Sequence, residues 1–179
     1  LLWLNLVTNG IQDVALAFEP GEGDALNHRP RSPREPVFNR LMVERTLMGA
    51  AVMGLAGFGT YTWLLQSGIS VFSARNILLL LMVLFEMVHI GNCRSEYKSA
   101  FQLSPLHSPI VVMGAVIAFL VHLLMMYLPI GRTLLSIEPV DAQAWVLLTA
   151  LSLSVLVPIE IDKIFKAKAL RNRQGTSSR

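Results

Sequence analysis

Charge is scarce in this sequence: Asp, Glu, Lys and Arg make up 15% of its 179 residues, where soluble domains carry about 25%. With 53% hydrophobic residues, nearly half of the chain lies in long apolar runs. That composition marks an integral membrane protein and leaves little room for a soluble catalytic domain. Cysteine is almost absent, and Cys93 alone excludes an internal disulfide. No charged n-region or small-residue cleavage site precedes the first apolar segment, which excludes a signal peptide. The chain opens on Leu rather than Met, already inside an apolar run. The expectation is therefore the C-terminal piece of a longer protein. No repeat at a fixed period and no low-complexity run is present.

What is there is a set of spans. A bilayer core takes about 20 residues of helix. Residues 1–18, "LLWLNLVTNGIQDVALAF", give a first span. Residues 19–45 are rich in Pro, Gly and charge and form a loop outside the membrane. Residues 46–161 hold four further spans, at 46–66, 71–92, 109–129 and about 144–161, and residues 162–179 form a basic tail. The fold class that follows is an all-α transmembrane bundle of about five spans. Gly49, Gly54, Gly57 and Gly59 in the second span are expected to let helices pack closely.

The cations fix an orientation. The loop 19–45, the loop 93–108 and the tail hold five, two and six Lys or Arg, and all three lie on one side if every span crosses. The other side carries only Arg75 and Arg132. That bias places the basic loops and the C-terminus in the cytoplasm; a plasma membrane is the expected location, though the bias itself does not select it. The net charge of +3 is thus a topology and lipid-contact signal and gives no reason to expect nucleic acid.

Polar residues inside the spans carry the functional information. Asn5, Thr8, Asn9, Gln12 and Asp13 fall within roughly 140° of arc on an α-helix, one stripe along the first span. Such a stripe should face protein or water rather than lipid. Glu86 follows nine consecutive apolar residues, Ile77 to Phe85. Counted from Arg75 it lies about 16 Å deep, where a carboxylate costs roughly 2.5 kcal/mol or more unless paired, protonated or bound to a cation. His89 and Asn92 follow on the same face. Two readings stay open: a hydrogen-bonded Glu86–His89 packing pair, or a cation or proton site. Amides, a hydroxyl and carboxylates are hard oxygen ligands suited to Ca²⁺, Mg²⁺, Na⁺ or K⁺. Gly10 after Asn9 would let the helix open and offer carbonyl ligands.

The remaining polar and aromatic residues read more simply. His122, among apolar neighbours, is expected to be a hydrogen-bonded packing residue. Glu160 and Asp162 are expected to be interfacial and solvated. Trp3, Trp63, Tyr127 and Trp145 sit near span ends as interface anchors.

The residues also resemble a known family. "LLWLNLVTNGIQDVALAFEP" looks like the sixth transmembrane helix of P-type cation-transporting ATPases, whose calcium pumps show a W-x-N-L-V-T-D-G pattern and a G/A-F-x-P exit. "RPRSPREPV" resembles their Pro/Arg-rich loop between the sixth and seventh helices. "LFEMVHIGNCRSEYKSAF" is similar to their eighth helix, and "PIEIDKIFKAKAL" to the last helix and its tail. The two polar helices match specifically; the other three match by length, order and loop character.

The resemblance implies that Asn5, Thr8, Asn9 and Glu86 coordinate a transported cation, with Asp13 and His89 as a second tier. Asn9 departs from the pattern, because calcium pumps carry Asp there. The amide removes one negative charge, which leaves calcium specificity open and makes Asp13 a candidate to supply the lost charge. The resemblance further implies partners: the lipid bilayer, an N-terminal portion of the same polypeptide, and the cation itself. ATP and Mg²⁺ are implied for the full-length pump only. The chain contains no D-K-T-G and cannot hydrolyse ATP alone. Two competing expectations are a non-catalytic membrane remnant or assembly module, and a small secondary transporter using the Glu86–His89 face.

Overall fold

The computed structural model describes residues 2–20, 36, 38–95 and 98–177, and for Thr8, Asn9 and residues 169–177 the backbone alone. Among these the chain is wholly helical. Helix α1 is composite: α-helical at Leu2–Leu4, π-helical over Asn5–Asp13 and α-helical again at Val14–Leu16. Helix α2 spans Arg40–Gln66, α3 Val71–Cys93 and α4 Pro109–Tyr127. Helix α5 is the short Pro129–Leu135, and α6 runs through Ala142–Ser152, a 3₁₀ turn at Leu153–Val155 and Leu156–Ser177.

Local chemistry sets these boundaries. Asn39 Oδ1 accepts from the Met42 N–H at 2.8 Å to start α2. Ser70 Oγ accepts from the Ser73 N–H at 3.1 Å to start α3, and Asp141 Oδ1 accepts from the Ala144 N–H at 2.6 Å to start α6. Each bond satisfies a donor that the helix itself leaves unpaired. Pro109 opens α4 at a position where a missing N–H costs nothing. Pro158 cannot donate to the carbonyl four residues back, and α6 tightens into its 3₁₀ turn at Leu153–Val155, over that carbonyl.

Four helices, Arg40–Gln66, Val71–Cys93, Pro109–Tyr127 and Ala142–Lys168, are long and apolar enough to cross a membrane. With α1 they make the five-membered, all-α polytopic bundle. Its core lies on α3, where Leu80, Leu81, Leu84 and Phe85 pack against Leu148, Val155 and Ile159 of α6. Outward-facing side chains such as Leu55, Phe58 and Leu147 are exposed and apolar, as a lipid-facing surface requires.

Two glycines mark close approaches between spans. A Cβ on Gly57 of α2 would stand 2.7 Å from Met82 Cε of α3, and one on Gly114 of α4 would stand 2.6 Å from Ala15 Cβ of α1. Gly49 is also buried, with the His89 ring 3.5 Å from where its Cβ would be, whereas Gly54 and Gly59 have nothing within 4 Å. Close packing therefore uses two of the four second-span glycines, Gly49 and Gly57 of α2, against α3, and one more, Gly114, in a helix that carried no small-residue pattern.

The charged end of the bundle differs from expectation. Glu160 is buried rather than solvated, and its Oε1 accepts from the Ala100 N–H at 2.9 Å. Lys163, 1% exposed, donates from Nζ to the Asn92 carbonyl at 2.9 Å. Asp162 pairs with Arg45 at 3.3 Å and Lys166 at 2.8 Å. Charges that look interfacial in sequence are used against neighbouring helix ends. The helix also continues past residue 161 to Ser177, because "KIFKAKALRNRQ" contains good helix formers and no break before Gly175. Trp145 is half-buried and meets Phe119 edge-on, with centroids 5.9 Å apart, while Trp63 and Tyr127 do face outward.

Candidate functional site

The site begins with the departure of α1 from α-helical geometry. Asn5–Asp13 is π-helical, a form that is rare, usually only one turn long and often found at functional sites. The wider turn repeats beyond 3.6 residues, and exposed positions accordingly recur at 5–6, 10, 13–14 and 17–18. Asn5 and Asp13 thus stay on the exposed side while Gln12, 3% exposed, turns inward. The single polar stripe expected of an α-helix divides. Gln12 Nε2 is buried and has no hydrogen-bond partner among the described residues. Gly10 fits the wide turn: a Cβ there would lie 3.5 Å from the Asn5 carbonyl oxygen. The side chains of Thr8 and Asn9 lie outside the described residues.

Helix α1 is held chiefly against α4. Val7, Gln12 and Ala15 form its buried face, and the Gly114 gap lets the two backbones approach. Near its start, Trp3 Nε1 donates to His122 Nδ1 at 3.1 Å, so His122 is the hydrogen-bonded packing residue that its apolar surroundings suggest.

On α3, Arg75, Leu78, Leu79, Met82, Glu86, His89 and Cys93 form the exposed to half-buried stripe, opposite the fully buried core residues. Leu4, adjacent to Asn5, and Met82, one turn before Glu86, line the same cleft of about 510 Å³, together with Arg75, Leu78 and Ile137. Neither Asn5 nor Glu86 lines it. His89 is different. Its ring lies beside Gly49, at the α2–α3 seam, and its Nδ1 is buried with no partner among the described residues. No three His, Cys, Asp or Glu side chains converge among the described residues.

Several residues that organise the site carried no sequence signal. Asn76 binds the backbone of Glu138 through both its amide nitrogen and its oxygen, pinning residues 136–138 as a wall of the cleft. Arg94, just past α3, grips Glu19, just past α1. These pairs join positions 62 and 75 residues apart, which no local pattern reveals. Burial alone would raise the Glu19 carboxyl; the hydrogen bonds and charge of Arg94 outweigh that and hold it below the ordinary value.

Comparison with known proteins gives the family. A family model described as "Cation transporting ATPase, C-terminus" matches residues 1–165. This chain belongs to that family. Among similar relatives, "Probable cation-transporting ATPase F" of Mycobacterium tuberculosis is 26% identical over 164 residues, covering 92% of this chain and 18% of the relative. "Calcium-transporting ATPase type 2C member 2" of Mus musculus is 28% identical over 174 residues, covering 97% and 18%. "Probable calcium-transporting ATPase" of Trypanosoma brucei brucei is 28% identical over 186 residues, covering 90% and 18%. The chain spans about a fifth of the length of these relatives. The all-α membrane region of a P-type cation ATPase is therefore what the sequence and the fold jointly describe.

Proposed function

We propose that this chain is the C-terminal membrane portion of an ATP-driven cation pump and supplies half of its intramembrane cation site. Asn5, Thr8, Asn9 and Glu86 are its ligands in this reading, with Asp13 and then His89 in second rank. The observation that carries it is the π-helical stretch Asn5–Asp13 of α1, which packs beside α3, the helix that holds Glu86. An opened helix offers carbonyl oxygens, and Glu86 offers the negative charge that a hard cation needs. Asn5 and Asp13 are exposed on this helix, which lipid would penalise. Further helices of the same polypeptide would cover them and complete the site.

Several relatives are named calcium-transporting, and Ca²⁺ heads the candidates for the cargo. Asn9 carries no charge where the calcium-pump pattern has a carboxylate, so a singly charged ion or a lower stoichiometry competes with it. ATP and Mg²⁺ act in the parts of the pump outside this chain. The basic end faces the cytoplasm, as the distribution of Lys and Arg indicates.

The test is Glu86→Gln in the full-length protein, assayed by cation-dependent phosphorylation across a panel of cations. The expected result is a rise of about tenfold or more in the cation concentration for half-maximal phosphorylation, the scale of one lost charged ligand. Unchanged apparent affinity and turnover would remove Glu86 from the ligand set.

A further inference from the structure

Both helices of the candidate site end at the same buried ion pair. Glu19 lies six residues beyond Asp13, and Arg94 eight beyond Glu86. Arg94 Nε sits 3.1 Å from each Glu19 carboxylate oxygen, and Nη2 lies 3.0 Å from Oε1. The side chains are 7% and 12% exposed. Nη2 also donates to the Ser104 carbonyl at 3.2 Å, so the loop after α3 is drawn into the same knot. A planar guanidinium bound at several points fixes direction as well as distance. Burial sharpens the constraint, because either charge left without the other would be stranded away from water.

The rest of α1 gives less control over its relation to Glu86. Its main packing partner is α4, and the Trp3–His122 bond also ties it to α4. The Glu19–Arg94 pair is a direct link between the α1 and α3 exits.

We propose that Glu19 and Arg94 are positioning residues of the cation site: their pair locks the exit of α1 to the exit of α3 and so sets the register at which Asn5–Asp13 faces Glu86. The inference rests on reading these two helices as one cation site. Neither residue touches the cation; they act by holding two sets of ligands within the small tolerance that binding requires.

The experiment uses the full-length protein with Glu19→Gln, Arg94→Gln, the milder Arg94→Lys, the charge-swapped double variant Glu19→Arg/Arg94→Glu, and Glu86→Gln as control. Two quantities are read: the cation concentration for half-maximal phosphorylation, and the thermal unfolding midpoint in detergent. The single neutral variants should raise that concentration about tenfold, within the usual range of site coupling. Arg94→Lys, which keeps the charge and loses the fork, should fall between these and wild type, and the charge swap should recover most of the loss. Unchanged concentration dependence in the single variants would overturn the proposal. So would a lowered unfolding midpoint with no shift in concentration dependence, since that marks a clamp for the fold alone. If a neutral variant does not fold, Arg94→Lys and the charge swap decide the matter by the same criteria. If Glu86→Gln shifts the dependence and the pair variants do not, only this inference falls; if Glu86→Gln is also silent, the cation-site reading falls first.

Discussion

Single side chains decide how closely the helices approach. At Gly114 an added methyl would collide with the fixed Cβ of Ala15, and no rotamer change relieves it. Gly114→Ala should therefore destabilise the bundle by about 1–3 kcal/mol, the usual cost of overpacking, and Ala15→Gly in the same chain should recover part of it. Gly54→Ala meets nothing within 4 Å and should be neutral or stabilising by up to about 1 kcal/mol. Thermal unfolding in detergent micelles reads both, and equal effects at the two glycines would contradict the packing described.

Glu19 carries a second prediction at this scale. Its folded-state carboxyl titrates below the ordinary value of 4.5, so the folded state holds its proton less tightly than the unfolded chain does. The stabilisation from the Arg94 pair is then complete above about pH 4.5 and is lost as the pH falls through the lower folded value. Wild type and Glu19→Gln should differ in unfolding midpoint near neutral pH and converge in acid. A difference that persists unchanged below that window would assign the effect to packing instead of charge.

At the scale of the element, helix boundaries follow local chemistry while helix character does not. The caps at Asn39, Ser70 and Asp141 and the Pro at 109 sit where the helices start, and α2 begins at Arg40, ahead of the apolar span expected at 46–66. The π-helical form of Asn5–Asp13 was foreshadowed only by Gly10. Its consequence, the inward turn of Gln12, came from the geometry. The segment 136–140 is likewise held from a distance, by Asn76. Asn76→Ala removes two hydrogen bonds to the Glu138 backbone at a cost of about 1–3 kcal/mol. Faster proteolytic nicking between α5 and α6 should accompany that loss, and an unchanged cleavage rate would show that the loop is held by other means.

On the scale of the whole molecule, the bundle is two-ended. Glu19, Glu44, Arg45, Arg94, Asp162, Lys163 and Lys166 meet at one end in paired arrangements. The opposite end carries few charges, Arg75 and Arg132 among them. Cys93, exposed at the charged end, offers a topology probe. In a full-length protein whose only cysteine is Cys93, a membrane-impermeant thiol reagent should label inside-out vesicles and spare right-side-out ones. A lone cysteine at Ser67→Cys, in the α2–α3 turn, should show the reverse. The reverse pattern would overturn the proposed orientation, and labelling of both from the same side would contradict a crossing by α3.

What the sequence determined by itself is whatever depends on short range and composition: the apolar spans, the all-α membrane class and the family. Periodicity and desolvation cost act within a segment, so they can be read along the chain. Tertiary structure alone decided which glycines admit a neighbour, that Glu160 and Lys163 are buried, and that α1 abandons α-helical geometry. It also decided that Glu19 and Arg94 join the two polar helices at their exits. Those outcomes depend on groups brought together from distant parts of the chain, 60 or more residues apart for the polar pairs, where the energy of a charge is set by what is packed against it and not by its sequence neighbours.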